Sequence, residues 1–265
     1  MELISLFSRS RRKARAMKSK KSTKRIKPDS QLLDWREDFL LKLKSRVFEI
    51  DKRKAPLLEA GNSKIGTSSE NYSRVLVWNL PAVKTCPSAS KWCLKWCYNA
   101  DLREEKFPHE LWNNNLHFFL QAEELLKTKL LSELRQSEDE SLAVRIHSSG
   151  DFFSCEYISF WIDIIKSTPN ATYWAYTRSW SNDAFLPLLE ELKNLKNIQL
   201  FASWDRTMKK APEGWRLSYV YQEEETLGSN GIICPEQSGK VADCATCNYC
   251  LVDGKSKSDV YFIAH

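Results

Sequence analysis

The sequence predicts an α/β fold, in which strands alternate with helices around a largely parallel sheet. Short runs rich in β-branched and aromatic residues alternate with amphipathic stretches of helical period. Strands that alternate with helices form open parallel sheets or barrels with right-handed crossovers. Six strand-like runs favour a partial (β/α)6 TIM-like barrel, followed by a cysteine-rich C-terminal metal-binding segment.

The size and composition are those of a globular protein. The chain has 265 residues, of which 42% are hydrophobic, and ten tryptophans can fill a large core. No apolar run approaches the roughly 20 residues that a transmembrane helix needs, and the apolar start is too short for a signal peptide. We therefore expect a cytoplasmic protein without membrane contact. None of these features indicates an oligomeric state.

A basic tail precedes the predicted domain. Residues 9–27 carry eleven basic residues and no acidic one, whereas the remainder of the chain is slightly acidic. Such a block of like charges cannot bury enough apolar surface to fold alone, and it attracts nucleic acid electrostatically; a merely solubilising tail is the alternative. We predict a disordered tail at 1–28, a partial-barrel domain at 29–233 and a cysteine-rich segment at 234–265.

The elements follow in order along the chain. Pro28-Asp29-Ser30 marks a helix start, and apolar residues at helical spacing as far as Val47 predict an amphipathic helix. Residues 55–74 suggest a loop, residues 74–80 a strand that Pro81 stops, and residues 108–136 a long helix. Further strands are predicted at 142–148, 171–177, 197–203, 216–222 and 231–234, with helices at 156–167 and 183–194.

Polar or thiol residues follow all six predicted strands. The carboxyl ends of parallel strands meet at one edge of a sheet or barrel, where active sites collect. The sequence therefore predicts an active site at that edge. The residues are Cys86, Cys93 and Cys97, His147 to Asp151, Thr177 to Ser179, Ser203 to Asp205, Tyr221 to Glu223, and Cys234 to Gln237.

Three cysteines follow the first predicted strand with the spacing C-x6-C-x3-C: Cys86, Cys93 and Cys97. Clustered cysteines in an intracellular chain favour metal ligation over disulfides. Three thiolates leave one iron of a [4Fe–4S] cluster without a protein ligand, open to a substrate or cofactor. The alternative is that these thiols pack as small apolar groups beside Trp92 and Trp96.

A second group of four cysteines lies near the C-terminus, in the segment "CPEQ…CATCNYC". Four thiolates close a metal site completely, as in a structural zinc site or an auxiliary iron–sulfur cluster. Convergence of both cysteine groups on one site is a further possibility, and Cys155 is predicted to pack. The four residues are Cys234, Cys244, Cys247 and Cys250.

Several polar residues at the strand ends have two interpretations. Asp151 precedes a helix start, so it either accepts from a ligand or caps the helix that begins near Ser154. His147 is either a proton carrier or ligand, or a hydrogen-bonded residue below the edge. Arg178 can pair with a carboxylate or phosphate. Asp205 can bind a ribose or accept a proton, or is a turn residue.

The motifs resemble a known family. The set "NLPAVKTCP…CLKWCYNA", "VRIHSSGDFFSCEYISFWIDII", "WAYTRSW", "SWD" and "CPEQ…CATCNYC" is similar to the phage gene product 88 family over roughly residues 70–252. That family implies no settled biochemical activity. The basic tail lies outside this resemblance.

A more distant resemblance is to radical S-adenosylmethionine (SAM) enzymes, whose first strand is followed by three cysteines that hold a [4Fe–4S] cluster. Their usual spacing is C-x3-C-x2-C, which differs from the spacing here. Ser149-Gly150-Asp151 resembles their Gly-Gly-Glu type motif, and Ser203-Trp204-Asp205 resembles their Ser-x-Asp segment. The resemblance implies that SAM is bound by Ser149, Gly150, Asp151, Thr177, Ser203 and Asp205.

The leading hypothesis is an iron–sulfur enzyme of radical SAM type with an unknown substrate. Its cluster lies on Cys86, Cys93 and Cys97, its catalytic residues are His147, Asp151, Arg178 and Asp205, and its C-terminal cysteines hold a second iron–sulfur cluster or zinc. The first alternative is a non-radical, zinc-binding, nucleic-acid-associated protein of phage or mobile-element type, with Lys209 and Lys210 assisting the tail. The second is a structural protein that uses metal only to stabilise its fold.

Overall fold

A computed structural model describes residues 56–97, 99, 109–135, 141–222, 225, 227–251 and 258–264. The predicted basic tail at 1–28 and the predicted amphipathic helix that follows it lie outside these residues.

The described residues form eight strands and five helices. The strands are β1 (Glu59–Ala60), β2 (Arg74–Trp78), β3 (Leu142–Ile146), β4 (Ala171–Thr177), β5 (Ile198–Trp204), β6 (Arg216–Tyr221), β7 (Gly231–Ile233) and β8 (Asp259–Ile263). The helices are α1 (Lys91–Trp96), α2 (His109–Arg135), α3 (Cys155–Lys166), α4 (Leu186–Lys193) and the single turn α5 (Cys244–Cys247). A 3-10 turn covers Ser179–Ser181.

All eight strands belong to one sheet in the order β1-β2-β3-β4-β5-β6-β8-β7. Strand β1 is antiparallel to β2, and every other neighbouring pair is parallel. Strands β2 to β6 are therefore adjacent in chain order. β8 lies between β6 and β7, so the predicted cysteine-rich segment at 234–265 supplies a strand to the same sheet.

The sheet has two differently covered faces, because side chains alternate along each strand. Leu76, Val144, Tyr173 and Leu200 face the main core, which also contains the apolar residues of α2, α3 and α4. We call this the helix face. The opposite residues of the same strands, such as Val75 and Trp174, pack in smaller clusters beneath residues 65–72 and the C-terminal cysteine segment. We call this the second face.

Local signals explain the helix that follows β3. The Ser154 hydroxyl accepts a hydrogen bond from the backbone N–H of Tyr157 and caps the N-terminus of α3. The buried residues of α3, including Tyr157, Phe160 and Trp161, pack on the helix face. Ser154 rather than Asp151 is thus the capping residue, so the carboxylate of Asp151 is not used as a helix cap.

The predicted α/β class is confirmed, and the six predicted strands occur close to their predicted positions. The regular (β/α)6 pattern is not seen, since helices follow β2, β3 and β4, but the described residues after β5 and β6 contain none. Two short or irregular strands, β1 and β8, were not predicted. The long predicted helix corresponds to α2, which is kinked at Ala122. No helix in the described ranges combines the length and apolarity needed to span a bilayer.

Candidate functional site

The loops that follow β2 and β3 are bound together at the carboxyl edge of the sheet. The backbone N–H of Leu80 donates to the carbonyl of Ser149 at 3.0 Å, and that of Asp151 donates to the carbonyl of Thr85 at 3.1 Å. The Asn79 side-chain oxygen accepts from the N–H groups of Ser148 and Ser149. These contacts place the loop of Cys86 beside the loop of Asp151.

The backbone at this edge is strained. Gly150 has φ +85°, and a Cβ atom there would lie 2.7 Å from both Leu80 Cβ and Thr85 Oγ1. Two non-glycine residues of the same loops, Val83 (φ 67°) and His147 (φ 63°), also have left-handed conformations. A β-branched residue with positive φ is a conformational outlier, and such outliers cluster at functional sites. The strain therefore favours a functional role for this edge.

Asp151 joins the ends of β3 and β4. One carboxylate oxygen accepts from the Thr177 hydroxyl at 2.6 Å and from the N–H of Phe152, and the other accepts from the N–H of Arg178 at 2.9 Å. Burial raises the pKa of Asp151 to about 6, although these hydrogen bonds and the Arg178 charge act to lower it. The carboxyl group therefore changes charge just below neutral pH.

Arg178 and Asp205 form a buried ion pair between the ends of β4 and β5. Arg178 Nη1 lies 2.8 Å from Asp205 Oδ2, and Asp205 is completely buried. Burial acts to raise the pKa of Asp205, but hydrogen bonds from Ser90 and Thr207 and the charge of Arg178 outweigh it, so the pKa is lowered. Asp205 is accordingly a carboxylate at neutral pH.

The Ser90 hydroxyl connects this ion pair to the cysteines. It donates to Asp205 Oδ2 at 2.6 Å and accepts from the backbone N–H of Cys93 at 2.9 Å, which caps α1. Helix α1 contains Cys93 and is followed directly by Cys97. The sheet thus fixes the position of α1 through one serine.

Cys86, Cys93 and Cys97, which we call the edge triad, lie close together near Asp151. Burial raises the pKa of the Cys86 thiol well above its ordinary value, and the negative charges of Asp151, Cys93 and Cys97 raise it further. Thiols separated by the first loop and by α1 are therefore near enough to influence one another electrostatically. In this anionic environment a thiolate at Cys86 is unfavourable unless a cation neutralises it.

His147 lies below the edge rather than on it. Its Nε2 atom is 2.9 Å from the hydroxyl of Tyr157, which also accepts from Trp78 Nε1, and its ring packs edge-on against Phe152. Burial, and then the charge of Arg145, lower the pKa of His147 to about 3. The ring is therefore neutral at neutral pH. This geometry favours the hydrogen-bonded interpretation over the proton carrier.

The other predicted cofactor-binding residues differ in their surroundings. Ser149 is buried, and its hydroxyl has no hydrogen-bond partner among the described residues. The Thr177 hydroxyl donates a hydrogen bond to the Asp151 carboxylate. Ser203 lies within β5, and its carbonyl accepts from Trp180 Nε1 at 3.0 Å. Of this set, Ser149 is the residue with an unsatisfied polar atom at the edge.

The four C-terminal cysteines, which we call the cysteine quartet, lie on the second face of the sheet. Cys234 is bonded through its backbone N–H to the Tyr261 carbonyl, and Cys244 to the Lys64 carbonyl. Cys234 and Cys250 pack with Phe201 on this face. The members are Cys234, Cys244, Cys247 and Cys250.

Thiols of the quartet influence one another electrostatically. Burial raises the pKa of Cys244 to about 12 and that of Cys250 to about 11, and in both cases the negative charge of Cys234 contributes. Arg145 acts to lower both pKa values. The four cysteines therefore form one group with a cation beside it, separate from the interactions that define the edge triad.

All eight cysteines lie within the described residues, and none forms a disulfide bond. Within those residues, no group of three or more His, Cys, Asp or Glu side chains is arranged to hold a metal ion. Ligation at either cysteine group would therefore require its side chains to rearrange. The donor chemistry suits soft metals, since thiolates prefer zinc, copper(I) and iron–sulfur clusters.

Several residues that organise these sites were not among the predicted ones. Ser90 stands three residues before Cys93, which is the spacing of an N-cap, and Asn79 directly follows a predicted strand. The sequence therefore contains a local signal for each of these two residues. Arg145 and Arg216 lie inside strands, and their positions on the second face become significant only once the cysteine segment is known to cover it.

Comparisons with known proteins identify relatives from phages. A family model described as "Gene product 88" matches residues 56–259. The chain is 27% identical to the "Gene 88 protein" of Mycobacterium phage D29 over 196 residues, which cover 65% of this chain and 80% of that protein. It is 26% identical to the "Gene 88 protein" of Mycobacterium phage L5 over 192 residues, 63% of this chain and 78% of that protein. No solved structure matches the chain.

Proposed function

We propose that this chain, which belongs to the gene product 88 family, is an iron–sulfur enzyme with its cluster on the edge triad. The family name does not indicate a reaction, so the proposal rests on the residues of the candidate site. The observation that carries it is that three cysteines lie at the carboxyl edge of a parallel sheet, where the charges of Cys93, Cys97 and Asp151 act on the Cys86 thiol. The Arg178–Asp205 pair lies at the same edge.

The residues of the edge triad suit a multi-iron cluster. Cys86, Cys93 and Cys97 supply three soft donors, and three donors leave one iron open. Burial and the neighbouring negative charges disfavour the Cys86 thiolate, so a cationic iron core would relieve that repulsion. The hydrogen bonds of Ser90 would keep α1, and with it Cys93, in place while the cluster is bound.

The polar residues beside the triad suit a small ligand with a cationic group. Above pH 6 the Asp151 carboxylate is negative, and its hydrogen bonds to Thr177 and Arg178 hold it in one orientation. The Ser149 hydroxyl could supply a further hydrogen bond. S-adenosylmethionine, which carries an ammonium and a sulfonium group, fits this description. When bound, a reduced cluster of this type supplies the electron for reductive cleavage of that cofactor.

The strand order supports the proposed partial barrel. Strands β2 to β6 are parallel neighbours in chain order, and α2, α3 and α4 all pack on one face. Helices on one face of a parallel sheet are also found in an incomplete (β/α) barrel, in which residues 65–72 and the cysteine segment would fill the other face.

Metal content tests this proposal directly. The protein should be purified without oxygen, with iron, zinc and visible absorbance measured on the wild type and on the Cys86→Ala/Cys93→Ala/Cys97→Ala variant. We expect a brown protein that loses about four irons per chain in the triple variant. Cys155→Ala, which replaces a thiol outside both cysteine groups, is the matched control and should keep its iron.

Two outcomes would contradict the proposal. Colourless protein with stoichiometric zinc and no iron after anaerobic reconstitution would exclude the cluster and favour a zinc-binding, nucleic-acid-associated protein. Iron without release of 5′-deoxyadenosine from SAM and a reductant would exclude the radical SAM chemistry while retaining the cluster.

A further inference from the structure

Two arginines lie on the second face without a carboxylate partner in the part of the chain that the structure describes. Arg145 projects from β3, with its guanidinium 4.3 Å from the centroid of the Tyr176 ring and 6.0 Å from that of Trp174. Its Nε atom is buried and has no hydrogen-bond partner among the described residues. Stacking on aromatic rings compensates only part of the cost of removing a cation from water.

Arg216 has a similar environment on β6. Its guanidinium lies 4.4 Å from the Phe201 ring centroid and 5.3 Å from that of Tyr249. Its hydrogen bonds run to neutral acceptors, namely the carbonyls of Ser258 and Tyr249 and the side-chain oxygen of Gln199. Among the described residues, no ion pair neutralises either arginine.

The aromatic rings below the arginines also support the quartet. Tyr176 packs with Phe201, at 5.0 Å between ring centroids, and Tyr176 and Cys250 both pack against the two apolar clusters of the second face. Arg216 bonds to the carbonyl of Tyr249, the residue directly before Cys250. The same layer therefore brings both guanidinium groups next to the thiols.

Other charges near the quartet already have partners. Lys64 Nζ lies 3.7 Å from a Glu236 carboxylate oxygen. The Asp243 carboxylate accepts from the N–H of Thr246 and caps α5. Unlike Lys64, the two arginines have no described carboxylate to neutralise their charge, so an anion bound beside them would stabilise them.

Charge balance identifies that anion. Four thiolates around a core of charge +2, whether a zinc ion or an oxidised iron–sulfur cluster, leave a net charge of −2. Two guanidinium groups neutralise this charge. We infer that the cysteine quartet holds a four-thiolate metal centre and that Arg145 and Arg216 are its fixed counter-charges. This inference goes beyond the proposed function, which concerns the edge triad alone.

A cobalt(II) titration tests the inference without any assay of activity. The full chain carrying Cys86→Ala, Cys93→Ala and Cys97→Ala, reduced and metal-free, should be titrated with cobalt(II) under nitrogen. Thiolate-to-cobalt charge-transfer absorbance then reports the quartet alone, and we expect it to disappear in a further Cys247→Ser variant. In the same background, Arg145→Met and Arg216→Met should each weaken cobalt binding about 10- to 100-fold.

Matched variants distinguish the loss of a positive charge from the loss of the folded structure. Arg145→Lys and Arg216→Lys keep the charge and should restore most of the affinity. Arg206→Met replaces an exposed arginine at the carboxyl edge and should leave cobalt binding unchanged. Far-UV circular dichroism should show that each Met variant is folded.

The inference is overturned if the parent variant shows no thiolate–cobalt absorbance, or if the folded Met variants bind cobalt as tightly as the parent. Because the edge triad is absent from all these proteins, neither outcome depends on whether the triad holds a cluster. Conversely, an edge triad without iron would refute the proposed function and leave this inference standing.

Discussion

The two cysteine groups have opposite electrostatic surroundings. The edge triad lies beside Asp151, whose negative charge acts on Cys86, and close to the carboxylate of Asp205 through Ser90. The quartet lies beside Arg145, which acts on Cys244 and Cys250. Cys86 thus lies beside a carboxylate, whereas Cys244 and Cys250 lie beside a guanidinium group.

This difference indicates different tasks. A permanent anionic centre is stable where cations are built into the sheet, as at the quartet. The carboxylate of Asp151 beside Cys86 instead favours an additional cationic ligand, which can enter and leave. The surroundings of the quartet are therefore those that the inferred metal centre needs, and the surroundings of the edge are those that the proposed exchangeable ligand needs.

The largest expected effect concerns the buried ion pair of the edge. Asp205→Ala leaves Arg178 buried without its partner, so we expect a loss of about 3 to 5 kcal/mol in the free energy of unfolding. Asp163→Ala removes an exposed pair with Lys127 and should cost no more than about 1 kcal/mol. Urea unfolding measures both changes. Equal losses would show that the edge is not held together by this pair.

Glycine substitutions compare the packing of the two sites. A Cβ atom at Gly150 would meet Leu80 and Thr85 beside the edge, and one at Gly66 would meet Asp243 and Ala245 beside the quartet. Gly150→Ala and Gly66→Ala should each cost about 2 to 4 kcal/mol, through both backbone strain and overpacking.

Two other glycines provide the control for this comparison. Gly214 and Gly239 also have positive φ, but nothing lies within 4 Å of a Cβ atom there. Alanine at these positions should show the backbone strain alone, about 1 to 2 kcal/mol. If all four variants unfold at the same urea concentration, neither loop is tightly packed against its neighbour.

A smaller effect is expected from pH. The pKa of Asp151 is raised from 3.8 to about 6 in the folded protein, so the folded state binds a proton more tightly than the unfolded state. Stability from this group is therefore complete below pH 3.8 and is lost as the pH rises through 6, by at most about 3 kcal/mol. Asp151→Asn should flatten this slope in unfolding experiments between pH 4 and 7. An unchanged slope would mean that another group titrates.

The sequence predicted the strands well, because their β-branched and aromatic runs are compact and bounded by turn residues. It also predicted that Asp151, Thr177, Arg178 and Asp205 would meet, since parallel strands bring their carboxyl ends together. It did not predict β8, which is separated from β6 by the whole cysteine segment. Side-chain pairings such as Ser90 with Asp205 span more than a hundred residues, and no local pattern encodes them.

The position of β8 has a consequence for folding kinetics. Among the described strands, β7 pairs with β8 alone, and β8 pairs with β6 across the intervening residues 222–258. Contacts between residues so far apart in sequence form slowly, because the loop between them must first close. Strands β3 to β6 pair over shorter separations, so we expect the quartet to assemble after these four strands have paired. Metal supplied during refolding would then accelerate the last step and leave the earlier ones unchanged.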